Sequence, residues 1–218
     1  MIYHNISQEQ LVALVTQAVQ AELQKRSRQV PVGISVRHIH LTRADVDKLF
    51  GYGYQLTPKK ELSQPGQFAC VECLDVIGPK GELKRVRILG PERSATQIEL
   101  AQTDCRTIGV NAPVRSSGDT KGTPGVTLRG PLGELTVPEG VIVADRHLHM
   151  TPAQAAAFGL ADGDRVQIRI NGLKPGIMGG VLVRASNKCA LDFHIDTDDG
   201  NAFLLKQGQL VTVLGKEE

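Results

Sequence analysis

Four of the six histidines of this 218-residue chain lie in two copies of the pattern Arg-His-x-His-x-Thr. The first copy contains His38 and His40, the second contains His147 and His149, and the two copies are 109 residues apart. In an extended segment alternate side chains point to the same side, so each pair can present two imidazoles to one ion. Two imidazoles are half of the ligand set of a tetrahedral zinc ion. The spacing therefore predicts metal binding at both pairs.

The two pairs leave the number of metal sites open. Together they can form one closed four-histidine site, which would be structural, or each can recruit a third ligand and form an open, catalytic site. His194, in the segment ALDFHIDTDDGNAF, is the natural third imidazole for one of two open sites. A carboxylate is the natural third ligand for the other. On composition alone the candidates are Glu99, Asp192, Asp196, Asp198 and Asp199.

Two further patterns are weak indications of metal binding. The acidic run at 196–199 lacks the twelve-residue ligand spacing of a calcium loop with a terminal Glu. Cys70 and Cys73 form a C-x-x-C pattern, but a four-cysteine zinc site needs a second close pair, and Cys105 and Cys189 are 84 residues apart. We expect all four cysteines to be reduced thiols without a role in the chemistry.

The segments around these residues indicate a mainly β protein. After Pro31 the chain alternates between short runs rich in Val, Ile and Leu and turns that contain Gly or Pro, which is typical of strands. Each histidine pair is followed by a short predicted helix with a threonine N-cap, Thr42 or Thr151, that ends at Phe-Gly. This repeated unit favours two β-barrels related by pseudo-symmetry, with short capping α-helices. A parallel βαβ sheet would need longer helices between its strands.

An amphipathic helix is predicted over residues 7–24, with a capping box formed by Ser7 and Gln10. A polar linker is expected to follow it and to end at Pro31. Two interpretations of this helix remain open at this point: it packs on the folded body, or it is a short docking peptide for a partner.

Composition narrows the function classes. A net charge of +2, 4% aromatic residues and the absence of Trp argue against a nucleic-acid partner. No run of about 18 apolar residues predicts a membrane span. The N-terminus does not resemble a secretory signal, and the free thiols predict a location inside the cell.

Four segments in the same order, VPVGISVRHIHL, GPERSATQIEL, VADRHLHMTPAQAAAFGL and DFHIDTDDGNA, resemble the propanediol-utilisation phosphate acyltransferases, the phosphate propanoyltransferase family. The resemblance extends from about residue 30 to the C-terminus. It implies an enzyme that interconverts propanoyl-CoA or acetyl-CoA plus phosphate with an acyl phosphate plus coenzyme A, by direct attack of zinc-bound phosphate on the thioester. It also implies two zinc ions per chain, held between the barrels.

The resemblance further assigns roles to individual residues. One zinc would be held by His38, His40 and Glu99, and the other by His147, His149 and His194. Arg93 would be the active-site residue that grips phosphate, a task for which a planar guanidinium is well suited. The implied contacts of coenzyme A are Ser35, Lys60, Arg87 and Asn201.

The implied domain organisation is an N-terminal helix and linker over residues 1–27, one barrel from 28–36 plus 145–218, and a second from 37–144. Members of such families often reside in bacterial microcompartments, so the helix is expected to meet shell proteins. Whether the chain forms a homo-oligomer is left open. Two other functions use the same ligands: a zinc-dependent hydrolase of thioesters or amides, and a non-catalytic, metal-stabilised binding module.

Overall fold

The fold is given by a computed structural model that describes residues 7–217. Five helices lie in this range: α1 (Gln8–Ser27), α2 (Arg43–Phe50), α3 (Gln102–Ile108), α4 (Pro152–Phe158) and α5 (Thr197–Phe203). The fifteen strands of the same range are β1 (Gln29–Ser35), β2 (His38–His40), β3 (Pro58–Glu61), β4 (Phe68–Ile77), β5 (Glu82–Gly90), β6 (Gln97–Glu99), β7 (Val114–Arg115), β8 (Val126–Gly130), β9 (Gly133–Val137), β10 (Val141–Ala144), β11 (His147–Met150), β12 (Arg165–Ile170), β13 (Gly176–Ala185), β14 (Asp192–Asp196) and β15 (Leu210–Lys216). The predicted mainly β class with short helices is confirmed.

Six strands form a closed barrel in the order β1-β14-β11-β13-β12-β15, and β15 pairs with β1 to close it. Five of these strands are consecutive in sequence, and β1 joins them from the other end of the chain. Apolar residues at alternate positions fill the interior, as in β12, where Val166, Ile168 and Ile170 are buried and the residues between them are exposed. Because of this alternation, the strand can be predicted from the sequence.

The other nine strands, β2 to β10, form a curled half-barrel sheet in the order β7-β10-β6-β2-β5-β4-β8-β9, with β3 paired to β4. A second hydrophobic core lies inside it, and it includes the fully buried Ile39, Leu74 and Ile98. We refer to the closed barrel as lobe 1 and to the curled sheet as lobe 2. The short strands β2 and β11, which carry the histidine pairs, are internal strands of lobe 2 and lobe 1 respectively.

The two threonine-capped helices occur where the sequence predicts them. The Oγ1 atom of Thr42 accepts a hydrogen bond from the backbone N–H of Asp45, and Thr151 forms a complete capping box with Gln154. Each helix ends at a phenylalanine followed by a glycine, Gly51 or Gly159, with a positive φ. These caps fix the direction in which the chain leaves each histidine strand.

The N-terminal helix departs from the prediction at its end. Its capping box is present, since Ser7 and Gln10 exchange two side-chain-to-backbone hydrogen bonds of 3.0 and 3.2 Å. The helix, however, continues to Ser27, and β1 begins at Gln29, so the end of the helix and the start of β1 together replace the expected linker. The high helix propensity of the residues Glu-Leu-Gln-Lys-Arg at 22–26 accounts for the extension. None of the described helices is long and apolar enough to cross a membrane.

Candidate metal centre and active site

The first candidate metal site lies in lobe 2 and consists of His38, His40 and Glu99, which are all buried. One ligand atom from each residue lies within 4.8 Å of the others. The Nε2 atoms of His38 and His40 are 3.4 and 3.7 Å from the carboxylate oxygens of Glu99. The Glu99 carboxylate is held in place by hydrogen bonds from Gln97 (2.5 Å) and from the Ser117 hydroxyl (2.9 Å).

The second candidate site lies in lobe 1 and consists of His147, His149 and His194, with ligand atoms again within 4.8 Å of one another. The Nε2 atoms of His147 and His149 are 3.1 Å apart. Asp192 is buried beside them, and its Oδ2 atom is 2.9 Å from Nε2 of His194. The Sγ atom of Cys189 lies 3.4 Å from Nδ1 of His149.

The two triads occupy equivalent positions in their lobes. In lobe 2, β2 pairs antiparallel with β6, and His38 is directly opposite Glu99. In lobe 1, β11 pairs antiparallel with β14, and His147 is directly opposite His194. Since paired residues on neighbouring strands project to the same face, the third ligand reaches the pair from the same register position in both lobes. The choice of Glu99 over the aspartates thus has a structural reason.

The first histidine of each pair is oriented in the same way. The Nδ1 atom of His38 is 2.8 Å from the Val36 carbonyl oxygen, and that of His147 is 2.7 Å from the Asp145 carbonyl oxygen. A hydrogen bond donated by Nδ1–H to a carbonyl leaves the lone pair on Nε2, which points into the triad. Both imidazoles are therefore presented in the tautomer that can ligate a metal through Nε2.

The protonation of the donors also suits a cation. Burial lowers the pKa of His40 and His149 to about 3 and that of His147 to about 4, so these three imidazoles are neutral at pH 7. Although burial opposes its ionisation, Glu99 has a pKa well below its ordinary value, chiefly because His38 attracts the carboxylate and forms a hydrogen bond with it. The same contact with Glu99 raises the pKa of His38, although burial acts in the opposite sense. The sets of three imidazoles and of two imidazoles with a carboxylate both match the donors that zinc takes in proteins.

Both triads line one cavity between the lobes, and Arg93 from the loop after β5 reaches into the same cavity. The Arg93 backbone N–H donates to the Leu41 carbonyl (2.8 Å), and its guanidinium donates to Ser117 (3.0 Å). Ser117 therefore contacts both Arg93 and Glu99, and it fixes the guanidinium beside the first triad. Two three-ligand cation sites and a guanidinium around one cavity are an arrangement for binding and polarising an anionic substrate.

Comparison with known proteins assigns this arrangement to a family. The family model of the phosphate propanoyltransferases matches residues 31–206. The chain is 46% identical over 194 residues to the phosphate propanoyltransferase of Thermotoga maritima, which covers 88% of this chain and 92% of that protein. It is 48% identical to the enzyme of Enterococcus faecalis, with 89% and 92% covered, and 48% identical to that of Salmonella typhimurium, with 81% and 84% covered.

The chain belongs to the phosphate propanoyltransferase family. It is therefore an acyltransferase, and the resemblance seen in the sequence is confirmed. The matched residues include both histidine pairs, Arg93, Glu99 and His194, so all the cavity groups described above lie in the part of the chain that the family shares.

Of the four predicted coenzyme A contacts of this family member, Ser35 lines the cavity. The structure places the other three elsewhere on the two lobes. Lys60 is exposed on β3, Asn201 is exposed on α5, and neither is among the described residues that line the cavity. The guanidinium of Arg87 on β5 donates to the backbone carbonyls of Cys70 and Val71 at 2.9 and 2.8 Å. The coenzyme A assignments therefore stay predictions.

Two of the four cysteines of this family member, Cys70 and Cys105, are buried thiols. Burial raises the pKa of Cys70 to about 12 and that of Cys105 to about 11, so neither is a thiolate at pH 7. Among the described residues, the groups that could hold a metal ion do not include Cys70 or Cys73. The acidic run of the weak calcium hypothesis forms the start of α5, where the Asp196 side chain accepts a hydrogen bond from the Asp199 N–H.

Several residues around the cavity are not predicted by the sequence patterns. Gln97 and Ser117 hold Glu99, and Arg184 on β13 lines the cavity beside His149, with which it is in register. Gln64, from the loop between β3 and β4, exchanges two hydrogen bonds with the Ala190 backbone, at 3.1 and 3.2 Å, and ties the lobes together. Of these residues, only Arg184 could have been noticed in the sequence, because it places a charge at an outward position of the apolar run GGVLVRA.

Proposed function

We propose that the chain is a zinc-dependent phosphate acyltransferase that uses propanoyl-CoA or acetyl-CoA in the cavity between the lobes. The observation that carries this proposal is the convergence of two three-ligand cation sites and Arg93 on one cavity. In the reaction the acyl–sulfur bond of the thioester breaks, a bond from the acyl carbon to a phosphate oxygen forms, and coenzyme A leaves as a thiolate that then takes a proton. The family membership supports this reaction class.

The triads fit zinc, and zinc is the cofactor that we propose for both. Bound there, zinc would supply Lewis acidity that neutralises phosphate charge and polarises a thioester carbonyl. The chain positions the third ligands on strands, and Gln97 and Ser117 hold the Glu99 carboxylate. Three protein ligands per ion leave coordination positions for substrate.

Arg93 has a role that depends on its own geometry. A guanidinium can donate two parallel hydrogen bonds to phosphate oxygens, and Ser117 limits its freedom to rotate. It orients the phosphate for attack and stabilises the negative charge that develops on the acyl oxygen. No protein nucleophile is needed, in agreement with the raised pKa of the buried thiols.

The N-terminal helix supports a second part of the proposal, which is packaging in a bacterial microcompartment through shell proteins. Over residues 7–20 every side chain of the helix and its cap is exposed, including Leu11, Leu14 and Val15 at 54% each. This exposure favours the docking interpretation over the packed one, because a packed helix would bury its apolar positions.

The activity is tested by measuring thiol release from propanoyl-CoA and acetyl-CoA with and without inorganic phosphate. We expect release to require phosphate and an acyl phosphate to accumulate in equal amount. Arg93→Gln should lower kcat/KM by about 10²- to 10³-fold, as when an oxyanion-stabilising donor is removed, while the zinc content is unchanged. Thiol release that is independent of phosphate would indicate the hydrolase, and full activity after complete chelation would refute the role of zinc.

A further inference from the structure

A second cavity-lining arginine, on the lobe opposite Arg93, has no function assigned so far. Arg184 lies on β13 in lobe 1, and its strand runs parallel to β11 with His149 paired to Arg184. The residue before His149 on β11, Leu148, and the residue before Arg184 on β13, Val183, are both buried in the barrel core. Because side chains alternate along a strand, His149 and Arg184 project from the same outer face of the barrel, into the cavity.

Among the described residues, Arg184 has no ion-pair partner. Three arginines line the cavity, and one of them, Arg37, forms a 2.7 Å ion pair with Asp104. Within the described part of the chain no carboxylate lies within 4.0 Å of the Arg184 guanidinium, and the same holds for Arg93.

The two aspartates that line the cavity do not supply that charge, because both have partners of their own. Asp145 is paired with Arg165 at 2.7 Å, and Asp196 caps α5. Two guanidinium groups thus face the cavity without a counter-ion among the described residues.

The two free guanidinium groups are near enough to affect each other. Although burial is the larger cause and Glu99 acts in the opposite sense, the positive charge of Arg184 contributes to the lowered pKa of Arg93. Two like charges in one partly desolvated cavity repel, and this repulsion is relieved when a dianion binds between them. Inorganic phosphate is a mixture of the monoanion and the dianion at pH 7, and it offers several acceptor oxygens.

We propose that Arg184 and Arg93 both bind oxygens of the phosphate substrate. Each lobe then contributes one metal-binding triad and one guanidinium to the binding of the same anion. This inference rests on the proposed acyltransferase function. Coenzyme A also carries phosphates, but the whole pantetheine arm separates them from the thioester. A guanidinium beside His149 is therefore placed for the reacting phosphate.

The test compares Arg184→Gln with Arg184→Lys and with the control Arg169→Gln, which alters an exposed arginine of the same barrel on β12. Kinetics are measured with propanoyl-CoA and with propanoyl-pantetheine, which lacks the nucleotide phosphates. Binding of inorganic phosphate to the zinc-loaded protein is measured separately by calorimetry, and metal analysis and thermal unfolding check that each variant is loaded and folded.

For Arg184→Gln we expect the KM and the Kd for phosphate to rise about 10- to 100-fold, the loss expected for a charge-assisted hydrogen bond, with both thioesters and with the zinc content unchanged. Arg184→Lys should recover part of the affinity, since it keeps the charge and loses the planar fork. Arg169→Gln should match the parent protein.

Unchanged phosphate binding in Arg184→Gln would overturn the inference. It would also be overturned by a raised KM for propanoyl-CoA alone that disappears with propanoyl-pantetheine, because Arg184 would then serve coenzyme A. If the parent protein shows no phosphate-dependent turnover, the proposed function fails, and the calorimetric arm still decides whether Arg184 binds phosphate.

Discussion

At the scale of single residues, the site combines a repeated pair with two different third ligands. Glu99 and His194 hold the same register position opposite the first histidine of a pair, and each is contacted by the residue two positions before it, Gln97 or Asp192. The triads therefore share their strand register and differ in the chemistry of the third ligand. That ligand is a carboxylate in lobe 2 and an imidazole in lobe 1. This difference allows the two sites to be separated by mutation.

Glu99→Gln should remove the metal from the lobe 2 site only. A neutral amide is a weaker zinc ligand than a carboxylate, while the lobe 1 triad is unchanged. Metal analysis should give about one zinc per chain instead of two, with little remaining acyl transfer. The matched control is Glu134→Gln, at an exposed glutamate on β9 that pairs with Arg129 on β8 and is not among the cavity-lining residues. Two zinc ions in folded Glu99→Gln would show that Glu99 is not a ligand.

At the scale of elements, alternation of apolar residues made most strands predictable. The strands that it missed carry polar residues whose partners lie on other elements of the fold. In β4 the inward position 72 is a glutamate, which is buried and accepts hydrogen bonds from the Tyr54 hydroxyl and the Thr57 N–H. In β14 the polar residues are His194, which lines the cavity, and its buried partner Asp192. A pattern of local hydrophobicity cannot reveal such positions, because their partners are distant in sequence.

The third ligands illustrate the same limit. The histidine pairs are local and were found from spacing alone, whereas Glu99 and His194 reach the pairs through the long-range pairing of β2 with β6 and of β11 with β14. Spacing in the sequence could not choose Glu99 over the aspartates. Only the family resemblance made that choice, and the strand register supplies its physical reason.

Close contact between β1 and β14 leads to a prediction at this scale. Gly33 is opposite His194, and a Cβ atom at Gly33 would lie 2.5 Å from Cδ2 of His194 and 2.9 Å from Oδ2 of Asp192. Gly33→Ala should therefore displace His194, lower the zinc content of the lobe 1 site and cost about 1–3 kcal/mol of stability through overpacking. Metal analysis and thermal unfolding measure both effects.

The control for this change is Gly200→Ala on α5, which packs on the same barrel. The three heavy atoms nearest to a Cβ atom there all belong to the side chain of Ile34, at 3.3 Å or more. It should keep the metal content and the unfolding temperature near those of the parent protein. A Gly33→Ala variant with the zinc content of the parent protein would show that β1 does not fix the position of His194.

At the scale of the whole molecule, the site exists only where the lobes meet. Each lobe holds a triad and an arginine, and the cavity between them is maintained by contacts that cross from one lobe to the other. Gln64 bonds to Ala190 near the second triad, and Thr103 on α3 donates two hydrogen bonds of 2.8 Å to Asp198 at the start of α5. These contacts hold the two lobes together around the shared cavity, so the lobes form one unit.

The N-terminal helix is outside this unit. Its removal should therefore abolish packaging of the protein and leave its catalytic activity unchanged. Its described side chains are exposed and none lines the cavity. Deletion of residues 1–27 should therefore leave kcat/KM within about twofold of the parent value, as for changes on a free surface, and abolish co-sedimentation with microcompartment shells.

A variant that keeps the helix but replaces Leu11, Leu14 and Val15 by glutamine tests the mechanism of docking. These side chains form an exposed apolar stripe, next to which Val12 and Val19 are also exposed. Their replacement should therefore also prevent co-sedimentation while activity persists. If this variant is packaged normally, the apolar stripe is not the docking surface. A deletion variant that is folded but inactive would instead place the helix within the catalytic body, since loss of a free appendage cannot disturb a cavity that it does not touch.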